Sequence, residues 1–284
     1  MIFIGWQGSG TVTATGARLI GAQSTGANAF AGGGQIGAWG NPMKATISAA
    51  NVTLKPIFVP YPRFGDIPSA NPDLEYSIVQ LAARGVINGC DSSATPPLFC
   101  PDEPTLRHQM AALIVRAMPG WADETGLPTF TDNTSDTELM TRVATVQRHN
   151  VTRGYQDEVC IAQGKQPPCF GPTDTVRYGQ VLLFIARAMV EKGYWTLQPD
   201  DRTLFPEQNG EIGADPDTDQ QTRDHRMIVT YIKYAGAPPD VSIAPNTPFQ
   251  VASPGRPVEG WGDAAPRGWF ARTLWAALSV YFGR

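Results

Sequence analysis

Two stretches of the chain repeat each other, and the shared order of their landmarks restricts the fold more than any other feature of the 284 residues. The first opens on Phe64-Gly-Asp66 and passes through a helical stretch to Gly85-Val-Ile-Asn-Gly89-Cys90. It continues to Leu98-Phe-Cys-Pro101-Asp102 and ends in Arg107-His-Gln-Met-Ala-Ala-Leu-Ile-Val-Arg116-Ala-Met118. The second opens on Phe130-Thr-Asp132 and reaches Asn150-Val-Thr-Arg-Gly154 and Cys169-Phe-Gly-Pro172. It ends in Arg177-Tyr-Gly-Gln-Val-Leu-Leu-Phe-Ile-Ala-Arg187-Ala-Met189. Matching landmarks lie 65 positions apart at Gly89 and Gly154 and 71 apart at Phe99 and Phe170, an order and regularity that chance does not explain.

Each copy reads as helix, loop, helix. Asn71 can cap a first helix with Pro72 at its first position, and Leu74, Ile78, Leu81 and Ala82 then share one face. Gly85 suits the left-handed residue that closes a helix, and its counterpart Asn150 is the next-best residue for that conformation. Met110, Leu113, Ile114 and Ala117 define the buried face of the second helix. In the second copy Leu139, Val143 and Val146 line one helix, and Leu182, Ile185, Ala186 and Met189 the other. A degenerate third copy follows. Ile228, Tyr231, Ile232 and Ala235 precede a turn at Gly236, and Trp261 to Arg267 leads into a helix carrying Leu274, Ala277, Leu278 and Tyr281. Terminal copies of an array are often atypical.

Residues 1–60 differ in kind: they hold eleven glycines, the three charges Arg18, Lys44 and Lys55, and no Asp or Glu. Thr11 to Thr15 and Thr46 to Leu54 read as strands, and Ala31 to Gln35 as a turn. So short a segment struggles to bury a core of its own, so its strands are expected to pair with an upstream region or another subunit. Pro56 to Pro62 reads as a stiff linker. The division is therefore a β segment and linker over 1–62, repeats over 63–120 and 128–193, and an insertion plus third copy over 194–284. The fold class is α+β, a helical bundle of two to three helix-loop-helix repeats with an N-terminal Gly-rich β segment.

Cys90, Cys100, Cys160 and Cys169 form two short-range pairs without a Cys-x-x-Cys spacing, and His108 and His149 fall outside both loops. That favours two local disulfides over zinc, and hence an oxidising compartment. Each bridge contributes roughly 2–3 kcal/mol in the chain-entropy model. The formal net charge of −4 suggests neither nucleic acid nor an anionic membrane as partner. No apolar run approaches a membrane span. Met1 to Trp6 is too short for a signal-peptide core, so the expected chain starts after a cleaved signal or partway through a longer product.

The two clear copies resemble S-layer homology repeats. The resemblance rests on the Phe-x-Asp openings, the Gly-Val-Ile-Asn-Gly turn at 85–89, the Phe-x-Pro steps (Phe99 to Pro101, Phe170 to Pro172) and the Arg opening each second helix. The cysteine-containing loop is similar to a variant in exported proteins of Gram-negative-type bacteria. The resemblance implies three repeats in a pseudo-threefold bundle whose grooves bind cell-wall polysaccharide, with Arg107 and Arg177 as the ligand residues and Arg267 as a poorer third. A helix N-terminus beside an Arg suits an anion. Leu106 and Val176 stand at the motif Thr, which moves the capping hydroxyl to Thr105 and Thr175. Gln109 and Gln180 stand at the motif Glu, so the capping box is weakened. The structural alternative is that both arginines pin the preceding loop through carbonyls or Asp102 and Asp174.

Other constellations carry less. Asp215, Asp217 and Asp219 have an alternate spacing that can wrap Ca²⁺, but Gln220 and Arg226 exclude an EF-hand, and a solvated acidic loop is the stronger reading. Trp261, Trp269 and Trp275 read as core rather than a sugar platform, and His108, His149 and His225 as surface residues. Enzyme signatures are absent, and no cofactor is required. The expected protein is a non-enzymatic extracellular surface protein that assembles with copies of itself into a layer or filament; the alternative is a glycan-binding anchor module of a longer exported protein.

Overall fold

The computed structural model describes residues 1–9, 12–15, 18–20, 37–39, 44–47, 53–68, 71–118, 120–121, 126–199, 218–241, 250–252, 259–260 and 262–282. Among the described residues helix outweighs strand. The helices are α1 (Pro72–Ala83), α2 (Arg107–Ala117), α3 (Thr137–Arg148), α4 (Asp157–Ala162), α5 (Tyr178–Glu191), α6 (Thr218–Ala235) and α7 (Arg267–Phe282). The strands are β1 (Ile2–Ser9), β2 (Val12–Thr15), β3 (Arg18–Ile20), β4 (Gly37–Trp39), β5 (Lys44–Ile47), β6 (Thr53–Val59), β7 (Gln250–Val251) and β8 (Glu259–Gly260). Two compact units result, one of Met1–Cys100 with Pro119–Trp121 and Leu278–Arg284, the other of Pro101–Met118 with Ala122–Ala277.

In the first unit a four-stranded sheet has the order β3-β4-β1-β6, and β2 pairs with β5. β1 and β6 run antiparallel from Ile2 opposite Val59 to Ser9 opposite Thr53, with an irregularity between Phe3 and Gly5. This corrects three expectations. The strands find partners within the chain, so the segment does not depend on a neighbour for pairing. Pro56 to Val59 belongs to β6, not to a linker. Of the single strand read over Thr46 to Leu54, Thr46 and Ile47 belong to β5 and Thr53 and Leu54 to β6, which pair with different strands, and 48–52 lie outside the described residues. The turn read at Ala31 to Gln35 lies outside the described residues. Helix α1 starts as its sequence dictates: the Asn71 carboxamide oxygen accepts the Leu74 N–H at 3.1 Å, and Pro72 occupies the first turn. Leu74, Ile78 and Leu81 are buried. Gly85 closes α1 at φ 69°, and Asn150 closes α3 in the same way at φ 53°.

In the second unit α2 packs on α3, and α5 on α6. Three helix starts (α2, α5 and α7) are joined in a closed ring of backbone hydrogen bonds. The Val176 N–H donates to Thr105 O at 2.8 Å, Ala265 N–H to Val176 O at 2.8 Å, and Thr105 N–H to Ala265 O at 3.0 Å. All three residues are fully buried. Outside this inner ring runs a second. Arg107 N–H donates to Asp174 O at 2.9 Å, Tyr178 N–H to Asp263 O at 3.1 Å, and Arg267 N–H to Glu103 O at 2.8 Å. The same relation recurs in the bridges Leu106–Thr175, Arg177–Ala264 and Pro104–Pro266. The first turn of a helix has N–H groups without intrahelical partners. Here carbonyls of the loop before another of the three helices supply them, Asp174 for α2, Asp263 for α5 and Glu103 for α7, so the circle closes.

The ring sets the correspondence between copies. Leu106, Arg177 and Pro266 precede their helices as equivalents, so Arg107 matches Tyr178 and not Arg177. Glutamine at the third helical position completes two of the caps. Gln109 accepts the Leu106 N–H and Gln180 the Arg177 N–H, each at 3.2 Å. Before α7, Pro266 has no N–H to satisfy, and Trp269 stands at the glutamine position, 4% exposed. The hydroxyl half of the capping box is missing from α2 and α5, because neither helix has a side-chain cap from its N-cap residue. Thr105 does not cap α2; its hydroxyl is buried without a hydrogen-bond partner. Thr105→Val should therefore leave stability unchanged or raise it by up to about 1 kcal/mol, since an isosteric methyl removes an unsatisfied polar group. Urea unfolding of the two proteins measures this, and a loss of more than about 1 kcal/mol would show that the hydroxyl has a partner after all.

Candidate functional site

Each clear copy contains a loop that folds back onto its opening Phe-x-Asp. In the first unit the Asp66 carboxylate accepts the N–H groups of Phe99 at 2.8 Å and Cys100 at 2.6 Å. The Phe64 and Phe99 rings meet edge to face at 5.7 Å. In the second unit Asp132 accepts the N–H groups of Phe170 and Gly171, both at 2.8 Å, and Phe130 stacks on Phe170 at 5.4 Å. The loop is so close that Gly89 and Gly154 admit no side chain. A Cβ there would fall 2.5 Å from the carbonyl oxygens of Leu98 and Cys169 respectively, and both residues have positive φ. The recurrence of Phe-x-Asp marked these aspartates as landmarks; their work as loop clamps becomes legible only with the loop in place.

Both expected disulfides are present, Cys90–Cys100 and Cys160–Cys169, which points to an oxidising environment. They are not equivalent. Cys100 corresponds to Gly171 and Cys169 to Leu98, so the similar spacings hide different tethers. Cys160, on α4, and Cys169 are fully buried; Cys90 is exposed and Cys100 half-buried. In the second copy the place of the Cys90–Cys100 bridge is taken by charge. Lys165 Nζ lies 3.0 Å from Asp174 and 3.8 Å from Asp132.

The two arginines singled out for ligand binding occupy different environments. Arg107 is 1% exposed. Its Nε donates to Phe170 O at 2.7 Å and its Nη1 to Gln180 Oε1 at 3.3 Å. The guanidinium lies 4.2 Å from the Tyr155 ring centroid, 4.7 Å from that of Phe170 and 5.5 Å from that of Phe184. Burial lowers its pKa, against the opposing pull of Tyr155, Asp174 and Asp132, and burial likewise raises that of Tyr155. Arg107 therefore pins the loop of the next copy, not its own preceding loop. Arg177 is exposed at the start of α5, and Arg267 is half-buried.

Of the calcium candidates, Asp215 and Asp217 lie outside the described residues, and of Asp219 only its place in α6 is described. Among the described residues the one group of metal-ligating side chains brought together is Asp66, Cys90 and Cys100, whose ligand atoms lie within 4.8 Å of one another. Trp269 and Trp275 are buried, as expected of core residues, and Trp261 lies outside the described residues. The histidines correct one reading. His225 is fully buried on α6, and His108 Nδ1 meets Pro172 O at 2.5 Å. No described helix is long and apolar enough to cross a membrane. The chain matches no family model and no curated protein.

These placements separate the arginines experimentally. Arg107→Ala should cost about 3–5 kcal/mol, because it strips a buried, hydrogen-bonded cation from between two loops. Arg177→Ala should change stability by less than about 0.5 kcal/mol. Chemical unfolding compares them, and equal losses would contradict the clamp.

Proposed function

We propose that the chain is a non-enzymatic structural protein of the cell surface, built on a three-copy module of the S-layer homology kind, whose N-terminal sheet joins neighbouring copies. The closed ring of three helix starts carries this reading. It ties copies of unequal sequence into one scaffold, and it uses up N–H groups at the helix N-termini that a ligand-binding version would offer to an anion. Arg107 is spent in the same way. The two disulfides support an extracellular setting. Assembly is supported by the sheet, whose edge strands are β3 and β6, since an edge strand is a template for another chain. Phe58 on β6 is 51% exposed and supplies apolar surface beside that edge.

A second reading, the anchor module for cell-wall glycan, is favoured by Arg177 alone, an exposed guanidinium positioned to meet a carboxylate. The two readings separate in one pair of measurements. On the assembly reading, light scattering shows mass rising with concentration, and electron microscopy shows layers or filaments. A monodisperse monomer at the highest soluble concentration, with native circular dichroism, ends that reading. Retention on purified wall fragments that drops with Arg177→Ala would then establish the anchor.

A further inference from the structure

The exposed disulfide and the carboxylate beside it form a site with no counterpart in the second copy. We propose that opening of Cys90–Cys100 by a dithiol reductant creates a binding site for one Zn²⁺, held by Cys90 Sγ, Cys100 Sγ and an Asp66 carboxylate oxygen, with water as fourth ligand. The three ligand atoms already lie within 4.8 Å of one another. The Cα atoms of the two cysteines are 6.0 Å apart. Tetrahedral zinc, with Zn–S near ~2.3 Å and Zn–O near ~2.0–2.2 Å, needs such atoms roughly 3.5 Å apart. Parting the sulfurs to that spacing is side-chain rotation, not backbone movement. Asp66 is fixed for the task, because its two oxygens accept the Phe99 and Cys100 N–H groups. Each oxygen retains a lone pair for a metal.

The second copy gives an independent reason to expect a cation here. Asp132, the equivalent of Asp66, makes the same two backbone bonds and also faces Lys165 Nζ at 3.8 Å. A Cβ on Gly171, the equivalent of Cys100, would fall 2.2 Å from Asp174 Oδ2, the carboxylate oxygen that holds that ammonium at 3.0 Å. One copy therefore fills this corner with a fixed ammonium and a second carboxylate. The other fills it with two sulfurs, and among the described residues no cation is paired with Asp66. The exchange balances. The dithiol closes to its own cyclic disulfide and passes two electrons and two protons to Cys90–Cys100, whose S–S bond breaks to give two thiols. Zn²⁺ then displaces both thiol protons to solvent as two S–Zn bonds form. Access favours this bridge over the other, because Cys160 and Cys169 are fully buried.

The test uses the full chain. Mild dithiothreitol treatment followed by alkylation and peptide mass mapping should label Cys90 and Cys100 and leave Cys160 and Cys169 unlabelled. After anaerobic removal of the reductant, titration with Zn²⁺ against a chromogenic chelator should give one site per chain, at least about 100-fold tighter than any site of the oxidised protein. Asp66→Asn, which keeps one acceptor for the loop, should weaken it by about 10-fold or more, and Cys90→Ser should abolish it. Co²⁺ added to the reduced native protein provides a readout without mutation: a thiolate-to-metal charge-transfer band with the strong visible absorption of tetrahedral geometry. Equal Zn²⁺ affinity of oxidised and reduced protein, no charge-transfer band, or unchanged affinity in a folded Asp66→Asn variant would each overturn the proposal.

Discussion

The structure of the second unit depends on how three helix starts satisfy their N–H groups. An isolated helix uses a side-chain cap for this, and α1 and α3 do so through Asn71 and Asp136. Helices α2, α5 and α7 instead donate to the carbonyls of the adjoining copy. No one of these helices can complete its first turn alone. Each cross-copy bond contributes only about 1 kcal/mol net, but a buried N–H left without its partner costs about 1–3 kcal/mol. Loss of one copy would therefore orphan groups in its neighbour. A ring needs its third member, and α7 supplies it through Ala265 and Arg267 although the stretch before it has neither cysteines nor a Phe-x-Asp opening. That explains why residues as different as leucine, arginine and proline serve before the three helices: the ring, not the side chain, supplies the cap.

Much of this architecture was legible in sequence, and the part that was not has a clear cause. Periodicity identified the buried face of α5 in full and most of those of α1 and α3, where Ala82 and Leu139 are only half-buried and Met140 takes the place beside Val143, because burial on a helix follows its 3.6-residue turn. Asn150 was legible as a left-handed closure because few residues tolerate it. Matching Arg107 to Arg177 by residue type sets the two copies one position out of the register that the ring fixes. Flanking landmarks Phe99 to Phe170 and Gln109 to Gln180 both keep an offset of 71, and only the arginines break it. The constant offset was the better guide, because backbone bonding fixes register while side-chain identity drifts. The pairing of β1 with β6 was out of reach for a different reason. Sheet partners some fifty positions apart leave no periodic trace, and glycine-rich strands specify their register weakly.

The cysteines show how spacing can mislead in a repeat protein. Two bridges of 9 and 10 positions suggest one device used twice. In fact the first copy ties its turn to the loop end, and the second ties α4 to the loop start. The conserved device is the aspartate clamp, which holds two consecutive N–H groups in both copies. Its geometry constrains what surrounds it. The residue at the second clamped N–H takes positive φ in both copies, 57° at Cys100 and 66° at Gly171. Glycine meets that demand without strain. Cysteine meets it at a cost of order 1 kcal/mol, which the bridge to Cys90 can offset.

The same groups cannot serve structure and ligand at once, and this is what links the fold to its use. An anion site at a helix N-terminus requires free N–H groups and a mobile or exposed cation. The first N–H groups of α2 and α7 are bonded to Asp174, Pro172, Glu103 and Pro101 carbonyls. Arg107, the residue placed to supply the charge, lies between aromatic rings with its Nε on Phe170 O. Freeing either would open the interface between copies, so an anionic polymer would have to offset the lost bonds before it gained any affinity. The scaffold is thus built in a way that favours rigidity over recognition at these helix starts. Arg177, exposed at the start of α5, lies outside this constraint.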